Sequence, residues 1–454
     1  MSKHTAAAEA AFRTWRHATQ EDRARALESI ADALDAATDE VVPIADEESH
    51  LGTTRLIGEV ARTTFQLRMF ATALRDGSLF PTQTDPYVDG PPPAGHPELV
   101  RTFEPLGVVA IFGASNFPFA FGTLGGDTAS ALAAGCCVVC KEHPAHPKLA
   151  QRLVALAREA LSDAGFPADI ITSISGLEAG AELVADPAVK AVGFTGSVPG
   201  GRFLFDIAVS RPNPIPFYGE LGSVNPVVVT EAAAAARATQ IAEGFVESLT
   251  LGAGQFCTKP AVLICPAGSG ITERAAELLT EREPMPLLTS DIAERFATHV
   301  DRIHHGTGTV VVAGAKHSDI HVTPSLVQAS VQDFLDPGNP LRHECFGPAA
   351  VIVEYRTTEE ALQLAGIDEG VLVSCLHAQD EDPQTQDLLD VLSERSGRLV
   401  WNGWPTGVAV TPWQMHGGTY PASTNPLHTS VGLTAAARFA RPVVWQGFPA
   451  ALTR

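Results

Sequence analysis

The sequence predicts an α/β protein built from two doubly wound domains. Short apolar runs alternate with helix-like stretches from Leu106 onward, which is typical of parallel sheets whose strands are joined by helices. A second alternating series starts at Asn225 and runs to about Ala409, which indicates a second domain. The chain of 454 residues is long enough to bury two or three cores.

Local patterns predict the elements in order. Ala and Leu recur at three- and four-residue intervals over Ala6–Leu74, which predicts helices. The Pro- and Gly-rich stretch Gly77–Pro105 predicts a hairpin, a linker or a mobile surface loop. The later predicted segments are strand Val108–Phe112, turn and helix Asn116–Ala134, strand Cys136–Lys141, helix Pro147–Ala164, strands Ile170–Ser173 and Ala191–Phe194, helix Val198–Val209, strand Val227–Val229, helix Ala232–Leu251, strand Val262–Ile264 and strand Arg441–Phe448.

An excess of acidic residues argues against two classes of partner. The 31 Lys and Arg face 52 Asp and Glu, and the net charge of −21 opposes binding to nucleic acid and to anionic lipid. Gly122 and Asp127 interrupt the apolar stretch Phe117–Cys140, so a buried helix and strand explain it better than a membrane span. Met1–Gln20 has no continuous apolar core, and we expect a cytoplasmic protein without a secretory signal.

The cysteines single out one candidate nucleophile. All seven fit a reducing compartment, because their number is odd and their spacing matches no disulfide framework. The C-x-x-C pair Cys137 and Cys140 encloses two valines, which favours a core strand, and no second pair completes a metal site. Cys257 lies in the glycine-rich turn Gly252–Thr258, where a thiol is placed for chemistry, although a buried structural cysteine fits that turn equally well.

Two further side chains have the types that such a nucleophile needs. Asn116 follows a predicted strand at the sheet edge where ligands bind in such folds, so its amide could donate to a developing oxyanion. A helix N-cap is the competing interpretation of Asn116. Glu220 lies between glycines in an apolar stretch, where partial desolvation raises a carboxyl pKa and suits a general base, and a surface turn is the alternative.

Three short segments are candidates for a nucleotide site. Small residues at a helix N-terminus suit a phosphate, a lysine at a strand end can hold a ribose or phosphate oxygen, and an acid beside an aromatic ring can hold a ribose and flank a nicotinamide. Each is weak alone, since the full G-x-G-x-x-G pattern is absent and the other two are commonly a solvated lysine and an ordinary turn. These segments are Thr195-Gly196-Ser197, Lys141 and the stretch Glu344–Pro348, which contains Phe346.

Taken in order along the chain, these residues resemble the NAD(P)-dependent aldehyde dehydrogenase superfamily. Within it, the chain is most similar to the α-ketoglutaric semialdehyde (2,5-dioxopentanoate) dehydrogenases, and the resemblance covers essentially the whole chain. The segments that carry the closer similarity are Ala61–Arg68, Gly125–Leu132, Gln255–Lys259, His416–Ala422, Thr429–Gly432 and Arg438–Val443.

The resemblance implies a role for each site residue. Cys257 is expected to attack the carbonyl of a small-molecule aldehyde, while the Asn116 amide and the Cys257 N–H hold the oxyanion. Glu220 is expected to activate the water that hydrolyses the thioester. Lys141 would hold the adenosine ribose, and Glu344 the nicotinamide ribose beside Phe346.

The resemblance also implies a domain plan and an assembly. A Rossmann-type cofactor domain is expected over residues 1–87 and 105–221, an α/β catalytic domain over 222–415, and a small oligomerisation arm and tail over 88–104 and 416–454. We expect a homodimer or homotetramer, because the Pro-rich excursion and the C-terminal strand resemble intersubunit elements of the family. Relatives usually carry N-terminal strands before the helix Ala6–Arg25, and we expect their absence to affect the domain edge or the oligomer contacts more than the chemistry.

Residues that differ from the family's motifs, or lie next to them, bear on which cofactor and which substrate the protein binds. Pro144 stands where many NAD-preferring relatives have a ribose-binding Glu, and Lys141 and His143 could attract a 2′-phosphate, so NADP is favoured, with NAD as the other candidate. Arg is the natural partner of a distal carboxylate, although an intramolecular salt bridge is an equal alternative for any such Arg. The substrate candidates are Arg62, Arg68, Gln66 one helical turn after Arg62, and the tunnel-lining or core-packing Phe117 and Phe256.

The leading interpretation is oxidation of α-ketoglutaric semialdehyde to 2-oxoglutarate with NADP. The alternative on the same fold is an NADP-dependent dehydrogenase of medium- or long-chain fatty aldehydes. The joint presence of Cys257, Glu220 and Asn116 argues against a non-catalytic nucleotide-binding protein. A CoA-acylating enzyme would use the same cysteine but would release the acyl group to CoA instead of water.

Overall fold

The computed structural model describes residues 2–367 and 369–449. Its helices are α1 Lys3–Trp15, α2 Gln20–Ala36, α3 Thr38–Ser49, α4 Thr53–Arg75, α5 Gly126–Ala133, α6 Pro147–Asp163, α7 Leu177–Ala185, α8 Val198–Ser210, α9 Glu231–Thr250, α10 Ile271–Thr280, α11 Ser290–His304, α12 Val331–Leu335, α13 Thr358–Ala365 and α14 Thr385–Ser393. Its strands are β1 Gln83–Asp85, β2 Leu99–Pro105, β3 Val108–Phe112, β4 Cys137–Lys141, β5 Ile171–Ile174, β6 Val189–Thr195, β7 Phe217–Glu220, β8 Asn225–Val229, β9 Pro260–Pro266, β10 Met285–Pro286, β11 Thr309–Val312, β12 His321–Val322, β13 Ser325–Ala329, β14 Ala349–Tyr355, β15 Val371–His377, β16 Ser396–Trp401 and β17 Ala440–Gln446.

A five-stranded parallel sheet forms the centre of the first unit, in the order β5-β4-β3-β6-β7. Strand β3 is buried along its whole length, as the apolar run Val108–Phe112 predicts for a central parallel strand. Side chains of α1 to α8 share one continuous apolar core with this sheet. Because all five strands are parallel, the residues that end them lie along one edge of the sheet.

A seven-stranded sheet forms the centre of the second unit, in the order β11-β13-β14-β9-β8-β15-β16. Its strand pairs are parallel except for β11 with β13. Separate apolar clusters cover its two faces. Only Leu221–Val224 separates β7 of the first sheet from β8 of the second, so the chain crosses between the units in four residues.

A small antiparallel sheet, in the order β1-β2-β17, joins the Pro-rich excursion to the end of the described chain. A 3-10 turn before β17 packs its side chains into the core of the first unit. There the buried Arg438 donates to Asp127 at 2.6 Å, which ties the C-terminal segment to α5. The excursion is therefore ordered by strand pairing.

The predicted α/β class is confirmed, and the predicted strands around the first sheet lie within a few residues of the observed ones. One element differs, because the helix predicted within Asn116–Ala134 begins only at Gly126. The residues before it form tight turns in which a Cβ at Gly122 would lie 1.9 Å from the Pro118 carbonyl oxygen. Glycine at that position permits a compact, non-helical loop immediately after β3.

Candidate active site

A cavity of about 1220 Å³ lies between the two sheets. One wall comes from residues that follow the carboxyl ends of the first sheet's strands, which is the usual ligand edge of an open parallel sheet. The other wall comes from residues that precede strands of the second sheet. The predicted site residues that line this cavity are Asn116, Phe117, His143, Pro144, Thr195, Gly196, Ser197, Glu220, Cys257, Glu344 and Phe346.

Cys257 occupies the loop that leads into β9, and it is half-buried. The side-chain amide of Asn225, the first residue of β8, donates to the Cys257 carbonyl at 2.8 Å and to the Lys259 carbonyl at 3.0 Å. Burial raises the pKa of the Cys257 thiol to about 12, and the neighbouring Glu344 and Glu220 add to that rise. The resting group is therefore a neutral thiol, held in place through its backbone.

Asn116 contacts the same loop from the first unit. Its side-chain Nδ2 donates to the Gln255 carbonyl oxygen at 2.8 Å, two residues before the thiol. A carboxamide carries two N–H donors, so one donor remains when the other binds Gln255. The amide is buried and lines the cavity, where it can serve an oxygen that becomes negative beside Cys257.

His416 contacts the thiol, and its role was not predicted from the sequence. Its Nε2 lies 3.7 Å from the Cys257 Sγ, within hydrogen-bond distance for sulfur. Burial lowers the pKa of His416 to about 3, with further lowering by Arg398 and Arg62, so the ring is neutral at pH 7. A neutral imidazole beside a neutral thiol is the nearest proton acceptor that the described contacts give to Cys257.

Glu220 ends β7 and is buried at the same cavity. Its Oε1 accepts from the Ser423 hydroxyl at 3.2 Å, while its buried Oε2 has no hydrogen-bond partner among the described residues. Burial raises the pKa of this carboxyl well above its usual value, against the lowering effect of Arg438. A carboxyl with a raised pKa and a spare oxygen is suited to take a proton from water near neutral pH.

Glu344 approaches the short link between the two sheets. A Cβ at Gly222 would lie 2.1 Å from its Oε2, so glycine is required there for the carboxylate to sit where it does. Burial raises the pKa of Glu344 to about 7, while Lys259 and the Ser223 N–H oppose the rise. The fully buried Lys259 donates at 2.7 Å to the carbonyls of Cys345 and Ala349, which fastens the Glu344 segment to the nucleophile loop.

The far end of the cavity carries the groups expected for a nucleotide. Ser197 is the N-cap of α8, and its hydroxyl accepts from the Gly200 N–H at 3.4 Å. Lys141 ends β4 and is half-buried, although it is not among the residues that line the cavity. His143 has a pKa lowered to about 3 by burial, and its Nδ1 accepts from the Ala145 N–H, so its Nε2 carries the proton. These donors, with no carboxylate at Pro144, suit a phosphate-bearing ligand.

The predicted substrate residues differ in how near they lie to Cys257. Phe117 and Phe256 pack edge to face at 5.3 Å beside the nucleophile loop. Arg62 lies over the Phe121 ring and donates to the Val408 carbonyl, and its charge acts on Cys257. The Gln66 Nε2 is buried against Gly126 without a hydrogen-bond partner among the described residues, away from the cavity wall.

Arg68 forms an intramolecular salt bridge, which was the alternative to substrate binding. Its guanidinium pairs with Asp32 at 2.6 Å and with Asp35 at 2.7 Å on the protein surface. It is therefore an intramolecular salt-bridge residue, and Arg62 is the remaining arginine candidate of that segment.

No role was predicted for His416, Asn225 or Lys259. His416 opens the segment His416–Ala422 and Lys259 ends the segment Gln255–Lys259, so both lie in segments that carry the family resemblance. Asn225 has no comparable local signal. Among the described residues, no group of three or more His, Cys, Asp and Glu side chains could hold a metal ion, and no helix is long and apolar enough to cross a membrane.

Comparisons with known proteins place the chain in a family. The model of the aldehyde dehydrogenase family matches residues 1–425. Alpha-ketoglutaric semialdehyde dehydrogenase 2 of Azospirillum brasilense is 42% identical over 448 residues, which span 97% of this chain and 85% of the relative. Alpha-ketoglutaric semialdehyde dehydrogenase of Acinetobacter baylyi is 38% identical over 449 residues, with the same two coverages.

Solved structures show the same fold. The NAD-dependent aldehyde dehydrogenase of Sinorhizobium meliloti superposes with a TM-score of 0.82, covering 99% of this chain and 87% of that one at 23% identity. At that identity the likeness concerns the fold alone.

The raised pKa of Cys257 predicts how the ligand-free protein reacts with iodoacetamide. Only the thiolate reacts, and well below a pKa of about 12 its fraction rises tenfold for each pH unit. We therefore expect the alkylation rate constant at Cys257 to rise roughly tenfold per unit between pH 7 and 9. Mass spectrometry of the modified peptide measures it, with Cys257→Ser as the control, and a rate that levels off by pH 8 would contradict the neutral resting thiol.

Proposed function

The chain belongs to the aldehyde dehydrogenase family, and from that premise we propose that this NAD(P)-dependent enzyme oxidises α-ketoglutaric semialdehyde to 2-oxoglutarate with NADP. The observation that carries the proposal is the meeting of Cys257, Asn116 and Glu220 in one cavity. The two curated relatives at 42% and 38% identity support the substrate, and they do not favour the alternative of medium- or long-chain fatty aldehydes.

The first step is attack of the Cys257 sulfur on the aldehyde carbonyl. The S–C bond forms as the thiol proton leaves, and the neutral His416 Nε2 at 3.7 Å is placed to accept it. The carbonyl oxygen becomes negative and is held by the free N–H of the Asn116 amide and by the Cys257 backbone N–H. Proton transfer during the attack avoids a standing thiolate–imidazolium pair, which burial disfavours on both residues.

The cavity residues fit a nicotinamide dinucleotide, which supplies a hydride acceptor when it is bound. Lys141 and Ser197 would hold its ribose and phosphate at the first sheet, with Thr195 and Gly196 forming the strand-to-helix turn. Glu344 would hold the nicotinamide ribose, and Phe346 lines the same part of the cavity. The clearance at Gly222 is the structural feature that leaves Glu344 in reach of that position.

Hydrolysis of the thioester is assigned to Glu220. Its unpartnered Oε2 can accept a proton from a water that attacks the acyl carbon, and the sulfur then leaves. Ser423 holds the other oxygen and so orients the carboxylate. Release to water, rather than to CoA, would be seen as product formation that does not depend on CoA.

Cofactor reduction across an aldehyde panel tests the function. We expect α-ketoglutaric semialdehyde to give the highest kcat/KM and Cys257→Ala to be inactive. Glu220→Gln should release about one equivalent of reduced cofactor in a burst and then turn over roughly 10²- to 10⁴-fold more slowly, because deacylation loses its base. A panel led by long-chain aldehydes, or a Glu220→Gln variant without a burst, would reject these assignments.

Arg62 is proposed to bind the distal carboxylate of the substrate. It is largely buried, lies within electrostatic range of Cys257 and of Glu59, and forms no salt bridge within 4.0 Å among the described residues. Glu59 compensates the buried guanidinium only in part, and a charge-assisted hydrogen bond to an anionic substrate would add to that compensation. Phe117 and Phe256 are proposed to line the path between this arginine and the thiol.

The effect of replacing Arg62 on KM should depend on the charge of the aldehyde. We expect Arg62→Ala to raise KM for α-ketoglutaric semialdehyde by about tenfold or more, since a charge-assisted hydrogen bond contributes roughly 1.5–3 kcal/mol. The KM of an uncharged aldehyde of similar length should stay near its original value. Arg68→Ala, on the same helix but paired at the surface, is the matched control. Arg62 does not line the cavity itself, and an equal effect of Arg62→Ala on both substrates would reject its role in binding the distal carboxylate.

NADP is proposed as the preferred cofactor. Pro144 supplies no carboxylate to repel a 2′-phosphate, and the carboxylate of Glu142 is occupied by Ser173 at 2.8 Å and Gln151 at 3.2 Å. The attraction depends on Lys141, because His143 is neutral and can offer only the N–H of its Nε2. The proton on that nitrogen still suits a phosphate oxygen.

The ratio of kcat/KM for NADP and NAD measures this preference. We expect the ratio to exceed one in the original protein and to fall by about tenfold or more in Pro144→Glu, because a carboxylate repels the 2′-phosphate and can bind the ribose of NAD. Pro144→Gln, which adds a similar volume without charge, is the control. A clear preference of the unaltered protein for NAD would reject the proposal.

A homodimer or homotetramer is proposed from the exposed strand edges. Strand β16 is the last strand of the seven-stranded sheet and exposes Leu399 and Trp401, and β17 is the last strand of the small sheet and exposes Val444. Exposed edges with apolar side chains are ready to pair with another chain. Light scattering measures the assembly, and a monomer would contradict it. The cytoplasmic location stays a prediction from composition.

A further inference from the structure

Glu59 on α4 is a buried carboxylate that the proposed chemistry does not use. Its side chain is only 4% exposed, and its Oε1 accepts from the backbone N–H of Phe119 at 2.9 Å and of Ala120 at 3.0 Å. Its Oε2 is buried without a hydrogen-bond partner among the described residues. Both N–H groups belong to the loop that carries Asn116, the proposed oxyanion donor.

The same helix holds the beginning of that loop one turn away. Arg55 donates to the Asn116 carbonyl oxygen at 2.6 Å, and its guanidinium lies over the rings of Phe117 and Phe256 at 4.9 and 5.1 Å. Arg55 and Glu59 therefore hold the loop at two points, the Asn116 carbonyl and the N–H groups of Phe119 and Ala120. The stretch forms turns between β3 and α5, with backbone hydrogen bonds of its own such as the Ala114 N–H to the Phe121 carbonyl.

The cost of this arrangement indicates that it serves the site. Burial raises the pKa of Glu59 to about 7, since one of its oxygens has no partner that replaces water. Arg55, Arg62 and the N–H groups of Phe119 and Ala120 oppose that rise. An apolar side chain could fill this space without such a cost, but it could not accept two N–H groups.

We propose that Glu59 is a positioning residue that sets the Asn116 amide against the developing oxyanion, an inference that rests on the oxyanion role proposed for Asn116. Glu59 acts through the loop and touches neither substrate nor cofactor. The position of the Asn116 amide matters because a shift of about 1 Å in a positioned group can lower a rate by roughly 100-fold.

Two conservative replacements separate position from charge. Glu59→Gln keeps an oxygen at the same reach, whereas Glu59→Asp keeps the charge but withdraws it by about one C–C bond, ~1.5 Å. We expect the single-turnover rate of cofactor reduction to remain within about threefold of the original in Glu59→Gln and to fall by about tenfold or more in Glu59→Asp. Cofactor affinity, measured by fluorescence, should not change in either variant.

Glu48 provides a matched control. It accepts the N–H groups of Lys148 and Leu149, both at 3.0 Å, at the start of α6 and outside the cavity lining. Glu48→Asp should therefore alter thermal stability without altering the single-turnover rate. A Glu59→Asp rate equal to that of Glu48→Asp, or a lower rate in Glu59→Gln than in Glu59→Asp, overturns the positioning role.

A double-mutant cycle with Asn116→Ala tests the route of the effect. If Glu59 acts through Asn116, Glu59→Asp should cause almost no further loss in the Asn116→Ala background, because coupled residues are not additive. Losses that multiply overturn the inference while leaving the oxyanion role in place. An Asn116→Ala variant with an unchanged rate instead rejects the oxyanion role itself, so the two failures are distinguishable.

Discussion

The site depends on two side-chain amides that hold one loop from opposite units. Asn116, after the first sheet, donates to the Gln255 carbonyl, and Asn225, at the start of the second sheet, donates to the carbonyls of Cys257 and Lys259. Together with the Leu288 N–H, which donates to the Gln255 side chain at 2.9 Å, these bonds hold the loop on both sides of the thiol. The chain passes between the two sheets at Leu221–Val224 and returns to the first unit before Arg438, so a change in their relative position would be transmitted to both amides.

Burial shifts the pKa values of the groups around the thiol. It raises those of Cys257, Glu220 and Glu344 and lowers that of His416, so the thiol and the imidazole are neutral at pH 7, whereas the proposed base Glu220 acts in its carboxylate form. In the proposed mechanism, negative charge develops on the carbonyl oxygen in the transition state, next to the proposed donors Asn116 and the Cys257 N–H. Donors placed in advance need no rearrangement during the reaction, which is the main source of electrostatic catalysis.

The sequence predicted the first sheet and the residues along its ligand edge well, because β3, β4 and β6 are apolar parallel strands whose ends carry Asn116, Lys141 and Thr195. The glycine-rich turn alone left Cys257 open between a nucleophile and a structural thiol, and the order of the motifs along the chain favoured the nucleophile. Sequence could not place His416 beside it, since 159 residues separate the two and the contact exists only after the chain returns from the second unit. Glu59 was equally hidden, because a single Glu in an amphipathic helix reads as solvated until the loop that it contacts is known.

The rule that ligands bind at the carboxyl ends of parallel strands holds for only one of the two sheets. Cys257 precedes β9, so the second sheet presents the amino ends of its strands to the cleft while the first presents carboxyl ends. Carboxyl-end loops of the first sheet carry the small residues and donors that suit a nucleotide. The amino-end loops of the second sheet need outside support, which Asn225 and Lys259 provide. Of the proposed cofactor residues, Lys141, Thr195, Gly196 and Ser197 end or follow strands of the first sheet, whereas Glu344 and Phe346 precede β14 of the second.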